Sequence, residues 1–114
     1  MDVEDIRFGA DGLAPAVVQE ATTREVLMLA YVDAEAVRRT LESGTTWFWS
    51  RSRAQYWNKG ATSGNIQDVV DVRLDCDADS VLVLVRARGP ACHTGERTCF
   101  YRTLSQEAPA EGDD

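Results

Sequence analysis

The sequence is poor in thiol and imidazole groups, with three cysteines and one histidine in 114 residues. It has no apolar run near the ~20 residues of a membrane span, so we expect no membrane partner. Acidic residues outnumber basic ones, for a net charge of −7. Sequence-independent binding of nucleic acid needs a basic face, so we expect no nucleic acid either. A small phosphorylated ligand remains possible, because a local pocket of arginine and lysine is enough to bind it.

An odd number of cysteines and no secretory signal argue against a disulfide framework. We therefore expect reduced thiols and a cytoplasmic location. The C-x-x-C pair of common zinc fingers is absent. The H-x-E and P-C-x-x-C motifs of zinc nucleobase deaminases are absent too, which argues against that class.

The length fits one compact domain, which we place at residues 1–104. Residues 105–114 are acidic and have no large apolar side chain, so we predict a disordered tail. The rest predicts a mainly β (α+β) fold with one helix, capped by Asp33 and ended by Gly44. We predict strands at residues 13–19, 25–32, 45–50, 66–74, 80–88 and 100–104, the first two forming a hairpin. The apolar run at 25–32 predicts a strand buried on both faces.

Cys76, Cys92 and Cys99 are three candidate zinc ligands, which would leave a fourth position for water. Their spacing alone is a weak signal, and ordinary buried thiols are the alternative. Cys76 lies between two aspartates, however, and the other two lie in a polar loop. The predicted strand at 80–88 separates Cys76 from Cys92 by roughly 30 Å. Sulfurs that share a zinc lie only about 4 Å apart. One chain can meet this distance only if a loop folds back along the strand, so we expect a homodimer in which two chains complete each site.

Asp75, Asp77 and Asp79 alternate, which in an extended segment places all three carboxylates on one face. The calcium-loop motif fails, because Ser80 replaces its glycine and Arg86 its late glutamate. Magnesium fits better. The alternative is a solvated acidic turn.

The segment at residues 50–65 contains several groups that bind phosphate or stack on a base. Arginine binds phosphate through two parallel hydrogen bonds, and a tryptophan ring stacks on a purine. A surface loop with solvated cations is the alternative. The predicted substrate ligands are Arg51, Arg53, Trp57, Lys59 and Ser63.

Seven short motifs follow one another along the chain: DGL (11–13), EVLMLAY (25–31), SRSR (50–53), WNKG (57–60), TSGN (62–65), DCDAD (75–79) and GPACHTG (89–95). In this order they closely resemble phosphoribosyl-AMP cyclohydrolase, an enzyme of histidine biosynthesis. The resemblance runs from about Phe8 to Phe100. It implies hydrolytic opening of the purine ring of 1-(5-phosphoribosyl)-AMP between N1 and C6 by a zinc-activated water. It also implies an intertwined homodimer, a β pseudo-barrel of about seven strands capped by one helix, zinc on the three cysteines and magnesium on the three aspartates.

His93 follows Cys92 and is our candidate catalytic base. Three thiolates lower the pKa of a zinc-bound water less than three imidazoles do, so a base would help. The alternative is that His93 only holds the loop by a hydrogen bond. For the whole chain, the rival function is a zinc-stabilised dimerisation module without activity.

Overall fold

The computed structural model describes residues 1–104, so the predicted tail at 105–114 lies outside the described residues. A short 3-10 helix precedes six strands and one α-helix. Their bounds are β1 (Ala14–Glu20), β2 (Val26–Val32), α1 (Ala34–Ser43), β3 (Trp47–Ser50), β4 (Gln55–Asn58), β5 (Gln67–Leu74) and β6 (Val81–Ala87). Within this part of the chain, no helix has the length and apolar character needed to cross a membrane.

Four strands form the main sheet in the order β2-β1-β6-β5. The predicted β1–β2 hairpin is confirmed as an antiparallel pair, and β6 pairs parallel to β1 and antiparallel to β5. The inward face of β1 buries small side chains, Ala14, Ala16 and Val18, and the central strand β6 buries Val81, Val83 and Val85. Small and branched side chains on adjacent strands let the sheet pack closely against Phe48 and the helix.

The helix is confirmed at both predicted ends. Asp33 Oδ1 accepts a hydrogen bond from Ala36 N at 2.8 Å, and Gly44 ends the helix with a left-handed φ of 75°. The other carboxylate oxygen of Asp33 accepts from the hydroxyl of Tyr56 at 2.6 Å, which raises the pKa of Tyr56 to about 12. One carboxylate therefore caps the helix and ties it to β4, in the second sheet of β3 and β4.

The mainly β fold with one helix is confirmed, but the sheets do not close into a barrel. Six strands lie in residues 1–104 rather than about seven, and they form two separate sheets, with an isolated bridge between Thr45, before β3, and Asp68 of β5. Residues 55–58, which we interpreted as loop, form β4. Residues 100–104 form no strand, because the chain leaves the edge of the sheet after Cys99 and stays exposed.

The prediction that residues 25–32 are buried on both faces is wrong for the single chain. β2 is an edge strand, and Val26 and Leu29 are 40% and 45% exposed. A continuous apolar run is also what an edge strand shows when a further layer covers its outer face.

Glu20 closes the end of the main sheet. Its carboxylate accepts hydrogen bonds from Thr22 N at 2.9 Å and from Ala87 N at 3.0 Å, so it joins the hairpin turn to the end of β6. These two backbone donors lower the pKa of Glu20. Its contribution to stability is therefore complete above the ordinary carboxyl pKa and is lost as the pH falls through the folded-state value.

We expect Glu20→Gln to lower the free energy of unfolding by about 1 kcal/mol near neutral pH, because an amide cannot replace a carboxylate as a double acceptor. The difference from the unsubstituted chain should shrink at acid pH, as the carboxylate itself becomes protonated. Urea unfolding at both pH values measures this. Glu42→Gln, on the exposed side of α1, is the control. A loss that stays constant with pH would contradict this role of Glu20.

Candidate metal centre

Cys99 is fixed to the exposed edge of the main sheet. Its backbone N donates to Leu27 O at 2.7 Å, and the hydroxyl of Thr98 donates to Val26 O at 2.7 Å. Arg97 adds a two-point ion pair with Glu25, with Nε–Oε1 and Nη2–Oε2 distances of 2.6 and 3.2 Å. Residues 97–99 thus lie along the edge of the sheet, outside its strands, and hold the thiol beside β2.

Cys92 lies in the first half of a small hairpin, and the second half of that hairpin leads into the segment of Cys99. Ala91 N donates to Arg97 O at 3.1 Å, and Cys92 N donates to Glu96 O at 3.2 Å. The turn between them closes with Gly95 N donating to Cys92 O at 3.0 Å, and Gly95 has a φ of 94°, a region that favours glycine. This hairpin brings two cysteines that are seven positions apart to one place.

The two thiols interact electrostatically. The hydroxyl of Thr94 donates to Cys92 Sγ at 3.0 Å, and this hydrogen bond lowers the pKa of Cys92. Burial and the neighbouring charge of Cys92 raise the pKa of Cys99. One thiol of this pair ionises readily, and its charge disfavours ionisation of the other thiol. A cation bound between them would relieve this repulsion, so the pair can supply two ligands of a cation site.

Cys76 lies elsewhere, exposed in the turn between β5 and β6, where its thiol donates to Asp77 Oδ1 at 3.3 Å. β6 runs from this turn towards the Cys92 hairpin, so the predicted separation of Cys76 from Cys92 agrees with the topology. Within residues 1–104 no three His, Cys, Asp or Glu side chains are arranged so that they could hold a metal. One chain therefore presents the three cysteines as a pair and a single thiol.

The three aspartates do not lie on an extended segment as predicted. Residues 75–79 form a tight turn, in which Asp75 Oδ1 accepts from Asp79 N at 3.0 Å and from Ser80 N at 3.2 Å, and Ala78 adopts a φ of 60°. The hydrogen bond to Asp75 and the charges of Asp75 and Asp77 raise the pKa of Asp79. The turn thus concentrates carboxylate charge at the position of Cys76, because a two-stranded connection of this length cannot stay extended.

The five predicted substrate ligands lie in four separate places. Arg53 and Trp57 line an open pocket of about 330 Å³ together with Ser50, Ser52 and Gln55. Arg51 instead lies over the ring of Tyr31, with its guanidinium carbon 3.8 Å from the ring centroid. Ser63 lies in an exposed turn and accepts from Asn65 N at 3.1 Å.

Lys59 differs from the other predicted phosphate ligands because it is buried, with 8% of its surface exposed. It follows β4, and its backbone N donates to Thr46 O at 3.0 Å. Burial lowers the pKa of Lys59, and the charges of Cys99 and Cys92 act in the opposite direction. Lys59 therefore lies in the interior and does not line the pocket of Arg53 and Trp57.

His93 is exposed in the turn after Cys92. Among the side-chain hydrogen bonds within residues 1–104, those that hold its loop come from Thr94, Arg97 and Thr98. The ring of His93 takes part in none of these hydrogen bonds, and its role, catalytic or structural, stays a prediction. Neither these three residues nor Glu25 stood out in the sequence as functional. The only signal for them was their position next to a predicted ligand.

Residues 28–101 match the family profile described as PRA-CH, phosphoribosyl-AMP cyclohydrolase. The chain belongs to the phosphoribosyl-AMP cyclohydrolase family. It is 57% identical over 100 residues to the phosphoribosyl-AMP cyclohydrolase of Lactiplantibacillus plantarum, covering 88% of this chain and 93% of the relative. It is 51% identical to that of Ruegeria pomeroyi over 96% of this chain and 92% of the relative.

A third relative is the histidine biosynthesis bifunctional protein HisIE of Halalkalibacterium halodurans, 53% identical over 91% of this chain. The chain spans about half of that protein, 49% of its length. The predicted family is confirmed, and with it the class of a cyclohydrolase. The metals, the dimer and the roles of individual residues stay predictions.

The glycine after Lys59 is a point where the fold cannot accept a side chain. A Cβ at Gly60 would lie 2.5 Å from the backbone atoms Asn65 C and Ile66 N, and its φ is +85°. Gly64 in the same loop has a similar φ of +84° but open space around it. We expect Gly60→Ala to cost about 3 kcal/mol or more, from overlap plus backbone strain, and Gly64→Ala about 1 kcal/mol from strain alone.

Urea unfolding of the two glycine variants measures the difference. Equal losses of stability would show that the close approach of residues 60 and 65–66 does not hold Lys59 in place.

Proposed function

We propose that this chain is a phosphoribosyl-AMP cyclohydrolase that opens the purine ring of 1-(5-phosphoribosyl)-AMP between N1 and C6, in histidine biosynthesis. The observation that supports this most directly is the pairing of Cys92 with Cys99 on an exposed sheet edge, while Cys76 is held at the far end of β6. A hydrolase that uses zinc needs three protein ligands and an open position, and the cysteines of this chain supply three.

A homodimer would complete the site, with Cys76 from one chain and the Cys92–Cys99 pair from the other. The edge strand β2 exposes Val26 and Leu29 beside Cys99, and β5, at the opposite edge, exposes Val70, which is 45% exposed. Apolar side chains next to an incomplete ligand set are what a self-complementary interface would cover. Thiolate ligands must stay reduced, which supports a cytoplasmic location.

The proposed metals would use two donor sets. Zinc on the three thiolates would lower the pKa of a bound water. The carboxylates of Asp75, Asp77 and Asp79 are oxygen donors of the kind that Mg²⁺ prefers. In one chain these carboxylates are not arranged around a common position, so a magnesium ion would need further ligands, such as water or a substrate phosphate.

Ring opening requires addition of water at C6 and cleavage of the C6–N1 bond. Substitution at N1 makes the ring cationic, so C6 is electrophilic. The proton of the attacking water passes to a base, for which His93 is our candidate. It is exposed next to Cys92, and the loop is held by other side chains. The exocyclic nitrogen stays on the product as a carboxamide.

The substrate carries two phosphates, and the pocket lined by Arg53 is our candidate for one of them. Ser50 and Ser52 offer hydroxyl donors there, and Trp57 presents an aromatic ring that packs on Phe48 with a centroid distance of 4.9 Å. Arg51 and Ser63 border the same segment and are weaker candidates. Lys59 does not line this pocket.

The shared site is tested by complementation. Cys76→Ser and Cys99→Ser should each abolish ring opening of phosphoribosyl-AMP, followed by the absorbance of the product. Co-refolding them in equal amounts should restore about one quarter of the activity, because half of the randomly paired dimers contain one intact site. Mixing Cys92→Ser with Cys99→Ser is the matched control and should restore nothing, since both lesions fall in the same half. Absence of recovery in the first mixture would contradict a shared site.

The role of His93 is tested separately. We expect His93→Ala to lower kcat by about 10²–10⁴-fold with KM and zinc content little changed, because a base acts in the transition state. Added imidazole should restore part of the lost rate. An unchanged kcat, or a loss explained by lost zinc, would remove His93 as the base.

A further inference from the structure

The two arginines of the turn between β3 and β4 extend to different places. Arg53 lines the open pocket with Trp57, whereas Arg51 does not line that pocket. Instead, the guanidinium carbon of Arg51 lies 3.8 Å from the ring centroid of Tyr31, on strand β2. One short turn therefore presents positive charge at two separate positions.

The ring of Tyr31 holds the flat face of the Arg51 side chain. A separation of 3.8 Å is the contact distance of two stacked planar groups. Stacking of this kind restrains the side chain and leaves the N–H groups at the edge of the guanidinium directed away from the ring. Arg51 is exposed, so an anion from solvent can reach these donors.

Arg51 forms no ion pair within residues 1–104, where the five ion pairs use other arginines. The other stacked arginine of this part of the chain is different. Arg39 lies 4.4 Å from the ring centroid of Tyr56, but its Nε also donates to Glu35 at 3.0 Å. Carboxylates are not scarce, because the chain has 19 acidic residues. A restrained arginine without a carboxylate is therefore better explained by an external anion than by a solvated surface charge.

Tyr31 lies on the same strand that holds Cys99. The backbone N of Cys99 donates to Leu27 O at 2.7 Å, and Tyr31 follows Leu27 by four positions on β2. At about 3.3 Å per residue, Tyr31 lies roughly 13 Å along the strand from this attachment point. A nucleotide with its reacting ring near the cysteines can extend one of its phosphates over a distance of this order.

We propose that Tyr31 is a positioning residue that holds Arg51 as a ligand for one phosphate of the substrate, separate from the pocket of Arg53. The proposal deepens the proposed function and rests on it, because phosphoribosyl-AMP carries two phosphates. The fork of Arg51 would donate two parallel hydrogen bonds to phosphate oxygens. Because Tyr31 already restrains the side chain, less side-chain entropy is lost on binding. Recognition of both phosphates would distinguish this substrate from AMP, which carries one.

A double-mutant cycle on KM tests the pairing of the two residues. We expect Arg51→Met to raise KM for phosphoribosyl-AMP about 10- to 100-fold with kcat little changed, because a phosphate far from the reacting bond contributes uniform binding. Tyr31→Leu, which removes the ring and keeps an apolar side chain, should raise KM about 3- to 10-fold. In the Arg51→Met background, Tyr31→Leu should add less than about twofold, because the ring then has no guanidinium to hold.

Two further variants complete the cycle. Tyr31→Phe keeps the stacking face without the hydroxyl and should recover most of the affinity that Tyr31→Leu loses. Arg38→Met removes an arginine from helix α1, where Arg38 is exposed and meets Glu35 at 3.7 Å, and should leave KM within about twofold.

The unsubstituted chain offers a second measurement in case a variant fails to fold. Arginine labelled with ¹⁵N at Nε gives a signal for Arg51 that can be identified by its contact with the ring protons of Tyr31. Titration with inorganic phosphate should shift this signal to saturation, whereas the signal of Arg38 should stay unchanged.

The outcomes separate this proposal from the proposed function. If the unsubstituted chain does not open phosphoribosyl-AMP, the proposed function is overturned, and this assignment to its substrate with it. If ring opening occurs but the effects of Tyr31→Leu and Arg51→Met on KM add in full, or phosphate does not shift the Arg51 signal, only the pairing of Tyr31 with Arg51 is overturned. A fall in kcat at unchanged KM would likewise overturn the role in phosphate binding.

Discussion

The arrangement of this chain depends on one strand that keeps two cysteine-bearing segments apart. β6 is a seven-residue strand paired on both sides in the main sheet, and its length of roughly 20 Å separates the Cys76 turn from the Cys92 hairpin. Hydrogen bonding to β1 and β5 prevents it from folding back. A strand held in this way divides three potential zinc ligands into two and one, so the division that suggests a second chain comes from the sheet itself.

The half of the site that one chain builds is held by backbone more than by side chains. Cys99 is fixed by its own N–H on Leu27 O, and Cys92 by the ladder from Ala91 to Arg97. Backbone hydrogen bonds of this kind lose little of their precision when surface side chains move. A side chain then adjusts the chemistry, because the hydroxyl of Thr94 donates to Cys92 Sγ and favours its thiolate form.

Local patterns predicted the elements whose causes are local. Asp33 and Gly44 bounded the helix correctly because a cap depends on neighbouring residues. The hairpin of β1 and β2 was equally visible in the alternation of turn and apolar residues. β4 was missed, since Gln55–Asn58 is polar and aromatic and gains its strand conformation from pairing with β3. The aspartates were placed on an extended segment, although the short β5–β6 connection requires a turn.

The sequence by itself determined the family, the chemical nature of the donors and most strand positions, because these follow from residue types and their spacing. Tertiary structure alone decided which donors meet. It placed Cys92 beside Cys99, left Cys76 apart, exposed β2 at the edge and buried Lys59. Such facts depend on strand order and on contacts between residues some 70 positions apart, as between Cys99 and Leu27. No local pattern in a chain encodes them.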